Sequence, residues 1–369
     1  MLRILHMGDL HLGAPLAGFS GRVAAAWRER RLEALEETLA TAMARGVQLI
    51  LMAGDCFDSE TPDPNTVARF FSLLAGCRVP VVIAPGNHDP YRCGGVWDSP
   101  ALPANVLLFK EAEPTVFSLP VLGVNVYGYA FVEATHAAPV LPSRAALPTD
   151  RINILLAHAD MLSLNSPHAP LSARALADAG FLFAALGHVH NAPDLRRLGE
   201  TVAAYSGFFA GGGFDECGKG RVNLVEIEGT RVSVTPLETG AGCFYRCPTD
   251  CTGLSSGEAV RERVARTLRE AGFSDENAIR VELFGETAAT CTPDPVALSR
   301  LGTRYALFEV KDKTVPLLER ELLEREVSLR GAFYRALRPR LESEDPAVRD
   351  VAAEALRLGL AALSGRELL

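Results

Sequence analysis

The fold is decided at Val81-Val82-Ile83-Ala84-Pro85-Gly86-Asn87-His88-Asp89, an apolar run that ends abruptly in a polar loop. A short apolar run bounded by turn residues predicts a buried strand over residues 81–84. In open α/β sheets, ligands bind at the carboxyl ends of the strands, so this loop is a candidate site. Asn and Asp are also ordinary turn residues, and the loop alone is equally compatible with a simple turn.

Four other predicted strands end in the same types of polar residue. They cover residues 4–7, 47–52, 152–157 and 181–186, and the side chains that follow them are Asp9 and His11, Asp55, His158, and His188 and His190. Helical patterns over 27–45, from about 65 and over 173–179 separate the strands, which predicts an α/β fold. A single buried histidine is usually a core residue. Five of the eight histidines lie at these strand ends, however, which indicates one shared site.

Composition limits the class of protein. With 369 residues and 48% apolar side chains, the chain can bury a full core, and we expect one large domain and a smaller one. The net charge of −8 weakens a simple DNA-binding hypothesis. Bound cations or a local basic group could still supply positive potential. The candidate basic group is Arg22, Arg28, Arg30 and Arg31, and the alternative is a solvated helix face.

Other features predict a cytoplasmic protein without membrane contact. The first residues show no signal-peptide pattern, and no apolar run is long enough to span a bilayer. The eight cysteines are scattered, which predicts reduced thiols. Cys243, Cys247 and Cys251 are spaced by four residues but match no usual zinc pattern, so we interpret them as incidental.

The side chains at the strand ends suit a pair of metal ions. Oxygen and nitrogen ligands without thiolates favour divalent cations such as Mn²⁺, Fe²⁺ or Zn²⁺. Spacing of i, i+2 lets Asp9 and His11, like His188 and His190, face the same way, and Asp55 is best placed to bridge two ions. Two such ions activate water and clamp a phosphoryl group, which predicts phosphoester hydrolysis. The seven predicted ligands are Asp9, His11, Asp55, Asn87, His158, His188 and His190.

These motifs resemble the signature of calcineurin-like metallophosphoesterases. The resemblance covers roughly residues 1–240, and it departs from the family pattern only at Ala157-His158, where the family usually has Gly-His. A narrower resemblance, to the nuclease subunit of the bacterial SbcCD complex and its YhaO-type relatives, rests on residues 167–170 and 213–220. The motifs that carry the family resemblance are Asp9-Leu10-His11, Gly54-Asp55, Gly86-Asn87-His88-Asp89, His158 and Gly187-His188-Val189-His190.

The resemblance implies a fold and a set of roles. Residues 1–240 would form a four-layer α/β/β/α sandwich, 241–340 a smaller α/β cap domain and 341–369 a C-terminal helical segment. His88 would act catalytically on the leaving oxygen, Asp58 would orient its ring, and Asp89 would bond loop amides. One ion, Mn²⁺ or alternatively Fe²⁺ or Zn²⁺, would be held by Asp9, His11, Asp55 and His190. The second would be held by Asp55, Asn87, His158 and His188.

The function implied is that of a DNA exonuclease or endonuclease component in double-strand-break repair. It would act as a homodimer with an SbcC/YhaN-type ATPase partner. The first alternative is a phosphodiesterase acting on cyclic nucleotides or other small phosphodiesters. The second is a non-catalytic scaffold, which the complete ligand set argues against. The helix predicted at 347–363, with Val351, Ala355, Leu358 and Ala362 on one stripe, would dock the partner or pack on its own cap.

Overall fold

The protein is described by a computed structural model that covers residues 1–191, 195–288, 291–317 and 320–363. The chain divides into two compact units, Met1–Phe244 and Tyr245–Leu369, which are described separately below. Residues 364–369 of the predicted C-terminal segment lie outside the described residues.

The N-terminal unit alternates strands and helices through most of its length. Its helices are α1 Gly21–Ala44, α2 Pro64–Gly76 and α3 Ala173–Ala179. Its strands are β1 Leu2–Met7, β2 Leu49–Met52, β3 Val81–Ile83, β4 Val106–Leu108, β5 Thr115–Leu119, β6 Val124–Gly128, β7 Ile152–His158, β8 Phe183–Gly187, β9 Arg196–Leu198, β10 Thr201–Tyr205, β11 Arg221–Glu228 and β12 Arg231–Glu238.

These strands form two mixed sheets of six strands each. The first has the order β12-β11-β1-β2-β3-β4, and the second has the order β5-β6-β7-β8-β10-β9. The central strands β1 to β4 are parallel, as are β6, β7, β8 and β10. Because parallel strands share a direction, the carboxyl ends of each set lie at one edge of its sheet.

Three apolar cores show how the layers stack. One core joins the facing sides of the two sheets, with Ile4 and Leu51 from the first and Ile154 and Phe183 from the second. Another joins the outer side of the first sheet to α1 and α2. The last joins the outer side of the second sheet to α3. The layers therefore follow the order α/β/β/α, which confirms the predicted sandwich.

Local capping explains where the helices begin. Helix α1 begins at Gly21, six residues before the start predicted at Trp27, because the Ser20 side chain accepts a hydrogen bond from Val23 N and caps the helix there.

The predicted basic group lies on helix α1. Arg31 is only 2% exposed, and Arg30 pairs with Glu33. The expectation of a basic surface made of all four arginines is therefore wrong.

The C-terminal unit combines small sheets with helices. Its core contains Cys247, Cys251 and Cys291, and none of the eight cysteines, all of them among the described residues, forms a disulfide bond. A three-stranded sheet has the order β13-β14-β16, and β15 pairs with β17. The elements are β13 Phe244–Asp250, α4 Gly257–Ala271, β14 Ala278–Phe284, β15 Glu286–Thr287, α5 Pro295–Ser299, β16 Leu307–Asp312, β17 Val315–Pro316, α6 Arg320–Arg325, α7 Leu329–Leu341 and α8 Pro346–Leu363.

Helix α8 buries a different stripe from the one predicted. Ala352, Leu356 and Leu360 are at most 2% exposed, whereas Val351 is 71% exposed. Of the predicted stripe, Leu358 and Ala362 are exposed as well, so the buried side of the helix is the one that carries residues spaced by four from Ala352. Among the described helices, none combines the length and the apolar character that a membrane span requires.

Candidate metal centre and active site

All seven predicted ligands, together with Asp58 and His88, lie at one edge of the sandwich. They follow β1, β2 and β3 in the first sheet and end or follow β7 and β8 in the second. The two facing sheets therefore both contribute. Two of the contacts that join the two contributions are between Asp9 and the backbone N–H of His188, 3.0 Å, and between His158 and Asn87, 2.9 Å.

Four of these residues have a left-handed backbone. The φ values are +51° at Asp9, +44° at His11, +49° at Asp55 and +95° at His188, and they account for four of the six non-glycine residues with positive φ in the described chain. Such a conformation costs about 1–3 kcal/mol for each residue unless its surroundings impose it. The N–H of Asp9 donates to Gly54 O at 3.0 Å, and that of His11 donates to Asp55 O at 3.0 Å. These bonds hold the two loops in the strained conformation.

Two glycines allow the loops to approach closely. A Cβ atom at Gly86 would lie 2.1 Å from Asp55 Oδ1, and one at Gly187 would lie 2.0 Å from Ala53 O. No side chain fits at either position without moving backbone or a predicted ligand. The Gly-Asn-His-Asp and Gly-His-Val-His motifs thus begin with glycine for a steric reason.

The Asp89 carboxylate joins the loop that follows β2 to the loop that follows β3. It is fully buried and accepts four backbone hydrogen bonds of 2.8–3.1 Å. The prediction that it bonds loop amides is confirmed. Burial raises the pKa of Asp89 and the charge of Asp55 raises it further, while the N–H donors oppose the rise. The four donors are the N–H groups of Asp55, Cys56, Phe57 and Gly86.

One half of the centre is organised around His158. Its Nδ1 atom lies 2.9 Å from Ala53 O, a carbonyl that can only accept, so Nδ1 carries a proton. In the neutral ring, Nε2 then directs a lone pair at Asn87 Oδ1, 2.9 Å away, and at Asp55 Oδ2, 3.4 Å away. The lone pairs of His158 Nε2, Asn87 Oδ1 and Asp55 Oδ2 therefore converge, and such a group of acceptors fits a bound cation.

The other half repeats the arrangement with different residues. His11 Nδ1 lies 2.9 Å from Asp58 Oδ1, and its Nε2 faces His190 Nε2 at 3.2 Å and Asp55 Oδ2 at 3.7 Å. His190 Nε2 is in turn 3.6 Å from Asp9 Oδ1. Acceptors again converge from several loops, and Asp55 contributes to both halves. The set of ligand atoms therefore fits two divalent cations that share one carboxylate.

The electrostatics of the centre favour positive charge. Burial works to lower the pKa of His158, but the Asp55 carboxylate raises it to about 9. Burial likewise opposes the effect of Asp9 and Glu216, which together raise the pKa of His190 to about 10. Burial would raise the pKa of Asp55, yet the histidines lower it overall. The carboxylates are thus kept ionised in a buried position, as metal ligands must be.

His188 has a different environment. Burial and the charge of His158 lower its pKa to about 4, so the ring is neutral at physiological pH. Its ring lies 5.0 Å from that of His158, and its Nε2 is 4.0 Å from Asp160 Oδ2. A neutral imidazole is the form that binds a metal.

His88 is the most accessible residue of the group. Its side chain is 45% exposed, and its Nδ1 lies 3.3 Å from the backbone carbonyl oxygen of Asp58. The Asp58 carboxylate is 3.9 Å from the same nitrogen and 2.9 Å from His11 Nδ1. The predicted partnership of Asp58 with His88 stays a prediction, and Asp58 has a second partner that the sequence did not indicate.

Three neighbours of the centre were missed. Glu216 contacts His190, Arg31 donates to His11 O at 3.3 Å, and the His168 ring lies 5.0 Å from that of His188. The sequence contained a signal for His168 and Glu216, because both lie in stretches that resemble the family. Arg31 gave none, since an arginine on a helix is ordinarily solvated.

Comparison with known proteins agrees with this geometry. Residues 2–192, more than half of the chain, match the family described as calcineurin-like phosphoesterase. The chain therefore belongs to the calcineurin-like phosphoesterase family, and the enzyme class predicted from its motifs is confirmed. Proteins of this family bind divalent metals, in agreement with the Asp and His clusters of the centre.

Several relatives are similar over longer stretches. The metallophosphoesterase YhaO of Bacillus subtilis is 28% identical over 204 residues, 51% of this chain and 48% of that protein. The DNA double-strand break repair protein Mre11 of Haloferax volcanii is 28% identical over 327 residues, 85% of this chain and 68% of that protein. The SbcD component of the nuclease SbcCD of Bacillus subtilis is 26% identical over 273 residues, 62% of this chain and 66% of that protein. The match thus spans about half the length of YhaO.

Proposed function

We propose that the chain is a metal-dependent phosphodiester hydrolase that acts on DNA, as an exonuclease or endonuclease component in double-strand-break repair. The observation that carries the proposal is the convergence of acceptor side chains in two groups that share Asp55, with His88 exposed beside them. The names of the relatives, Mre11 and the SbcD component of the nuclease SbcCD, support DNA as the substrate. We assign the activity to residues 1–240, with 241–340 as a cap and 341–369 as a helical segment.

Seven residues would hold two cations, with Mn²⁺ as the first choice. When bound, such ions lower the pKa of a coordinated water and stabilise charge on phosphoryl oxygens. Asn87 offers a neutral oxygen, which limits the negative charge of its site. The first ion would be held by Asp9, His11, Asp55 and His190, and the second by Asp55, Asn87, His158 and His188.

We propose that His88 protonates the leaving oxygen. Its Nδ1 faces the Asp58 carbonyl oxygen at 3.3 Å, so Nδ1 carries a proton and the opposite nitrogen, Nε2, is the one able to transfer a proton. Its partial exposure gives a substrate access to the ring. Because His88 is not assigned to either ion, its Nε2 atom stays available to carry the proton that is transferred.

Digestion of end-labelled duplex and single-stranded DNA with Mn²⁺ tests the function. Wild type is expected to shorten or cut the DNA, His88→Ala to lose this activity, and the remote control Glu226→Gln to retain it. A cyclic nucleotide and bis-p-nitrophenyl phosphate are assayed in parallel. If wild type ignored DNA but cleaved these small diesters, the nuclease proposal would fail and the phosphodiesterase alternative would replace it.

We further propose that the enzyme is a cytoplasmic homodimer that works with an SbcC/YhaN-type ATPase. The name of one relative makes it part of a larger nuclease. Helix α8 exposes the apolar side chains of Val348, Val351 and Leu358, which could contact such a partner. Pull-down of the ATPase with and without residues 345–369 tests this contact, and equal recovery would contradict it. Light scattering of the purified chain tests the dimer.

A further inference from the structure

Glu216 contacts a predicted metal ligand on the ring edge opposite the centre. Its Oε1 atom bonds to Nδ1 of His190, and its Oε2 atom accepts the N–H of Gly212 at 2.6 Å. The side chain is only 14% exposed. Because both carboxylate oxygens have partners, the group is held in a single orientation.

This contact sets the chemical form of His190. A carboxylate can only accept, so Nδ1 carries a proton and Nε2 of the neutral ring has the lone pair. Nε2 lies 3.6 Å from Asp9 Oδ1 and 3.2 Å from His11 Nε2. The tautomer of a metal-binding histidine is fixed by the bond that its other nitrogen makes. Glu216 makes that bond here.

Arg31 holds the loop of Glu216 against the loop of His11. Its Nη2 donates to Gly211 O at 2.5 Å, and its Nη1 donates to His11 O at 3.3 Å. The residue is 2% exposed, and its Nε is buried without a hydrogen-bond partner among the described residues. A buried cation is costly unless negative groups compensate its charge, and Glu216 and Asp58 act on it in this way. Its position therefore depends on the same carboxylates that orient the histidines.

The same arrangement occurs at a second ligand of the same ion. His11 directs Nδ1 to the Asp58 carboxylate at 2.9 Å and Nε2 to the centre. Asp58 and Glu216 thus act on two neighbouring rings in equivalent ways. Arg31 lies between them, since it contacts the backbone of His11 and the loop that carries Glu216.

We propose that Glu216 is a positioning residue for divalent-cation binding. It fixes His190 in the tautomer and orientation that present Nε2 to the centre, and Arg31 holds the loop that carries Glu216. The proposal rests on the metal binding of the proposed function but not on DNA as the substrate. A chain that binds two cations and leaves DNA intact would contradict the nuclease proposal and leave this one unaffected.

Calorimetric titration of the chelator-treated full chain with Mn²⁺ tests the proposal. In Glu216→Gln, the amide NH₂ must face either His190 Nδ1–H or the Gly212 N–H, so one of the two contacts is lost. We expect one of the two binding events to weaken by about 10–100-fold and the other to stay unchanged. The matched control Glu226→Gln, which removes a carboxylate from the remote pair with Arg3, should bind as wild type does. Two wild-type affinities in Glu216→Gln would overturn the proposal.

A second measurement separates positioning from direct ligation. In protein with ¹⁵N-labelled histidine loaded with diamagnetic Zn²⁺, wild type should show a low-field Nδ1–H resonance that is assigned to His190 by its loss in His190→Gln. We expect this resonance to shift or vanish in Glu216→Gln. If His190 instead lacks an Nδ1 proton in wild type, the proposal fails. Should Glu216→Gln not fold, Glu216→Asp is titrated instead, and an unchanged affinity in that shorter variant would also overturn it.

Discussion

The Asp58 carboxylate accepts a hydrogen bond from Nδ1 of His11, with 2.9 Å between the two atoms. The same carboxylate oxygen is 3.9 Å from His88 Nδ1. Asp58 therefore lies between a predicted metal ligand and the predicted catalytic histidine. Its substitution should affect both binding and turnover, whereas substitution of His88 should affect turnover alone.

His88→Ala and Asp58→Asn are expected to differ in metal affinity. Loss of a general acid lowers the rate by about 10²–10⁴-fold, so His88→Ala should reduce kcat by this amount and leave Mn²⁺ affinity within twofold. Asp58→Asn should reduce kcat and also weaken Mn²⁺ binding by about tenfold. The measurements are steady-state kinetics and calorimetry. Asp63→Asn, at the N-cap of α2, is the control because Asn caps a helix as well as Asp does. Unchanged Mn²⁺ affinity in Asp58→Asn would show that the bond to His11 does not orient it.

Asp89→Asn is expected to destabilise the N-terminal unit. An amide would place an NH₂ group opposite backbone N–H donors that now share four bonds with the carboxylate. Buried donors left without acceptors should lower the free energy of unfolding by about 3 kcal/mol, measured by urea denaturation. The control Asp98→Asn changes an exposed carboxylate that accepts bonds from Gly94 N and the Tyr91 hydroxyl, and it should leave the midpoint unchanged. Equal midpoints for wild type and Asp89→Asn would contradict the structural role.

His6 makes stability depend on pH. The ring is fully buried, its Nε2 donates to Leu186 O at 3.1 Å, and its Nδ1 accepts from Asn223 Nδ2. Burial lowers the pKa of His6 to about 4 from its ordinary value of 6.5, although Leu186 O and the charge of Asp9 oppose the shift. The unfolded chain therefore binds a proton at a higher pH than the folded chain does. The stability that neutral His6 supplies is complete above pH 6.5 and is lost as the pH falls toward 4.

We expect His6→Gln to remove this part of the pH dependence. The lowered pKa of His6 corresponds to a loss of about 3 kcal/mol in the free energy of unfolding as the pH falls from 6.5 to 4. Because other histidines titrate in the same range, the quantity to compare is the difference in unfolding free energy between wild type and variant at each pH. That difference should shrink as the pH falls. A constant difference across the range would mean that His6 is not held neutral.

Metal removal is expected to lower the melting temperature. A cation at about 100 times its Kd stabilises the folded state by about 2.7 kcal/mol, which corresponds to roughly 5–10 °C in a domain of this size. Differential scanning fluorimetry with Mn²⁺, and again after EDTA, measures the shift. Asp55→Asn removes the carboxylate that both halves of the centre share and should lose most of it. An equal shift in this variant would show that the ions bind elsewhere.

The sequence predicted the five parallel strands β1, β2, β3, β7 and β8 and the polar residues at their carboxyl ends. Buried parallel strands are recognisable because both faces are apolar, and the change to Asp, Asn or His at their ends is abrupt. Strand β10 was missed because Thr201-Val202-Ala203-Ala204-Tyr205 is short and rich in alanine, and β9 was missed because Arg196-Arg197-Leu198 has no strand pattern.

The surroundings of the ligands were harder to predict. Glu216 lies in a glycine-rich loop without periodicity, and Arg31 looks like any solvated arginine until the helix is packed. Both positions are decided by contacts between residues far apart in the chain, such as Arg31 with Gly211. The left-handed backbone of Asp9 and His11 was equally hidden, since residues other than glycine rarely adopt it.

The left-handed residues of the centre should also determine the order of events when the enzyme is inactivated by heat. Asp9, His11, Asp55 and His188 keep an unfavourable backbone only while neighbouring loops enforce it. When the domain begins to loosen, these loops gain most by relaxing, whereas the strands behind them lose apolar contacts. Thermal inactivation should therefore precede the loss of secondary structure, and residual activity will be an earlier sign of damage to this protein than circular dichroism.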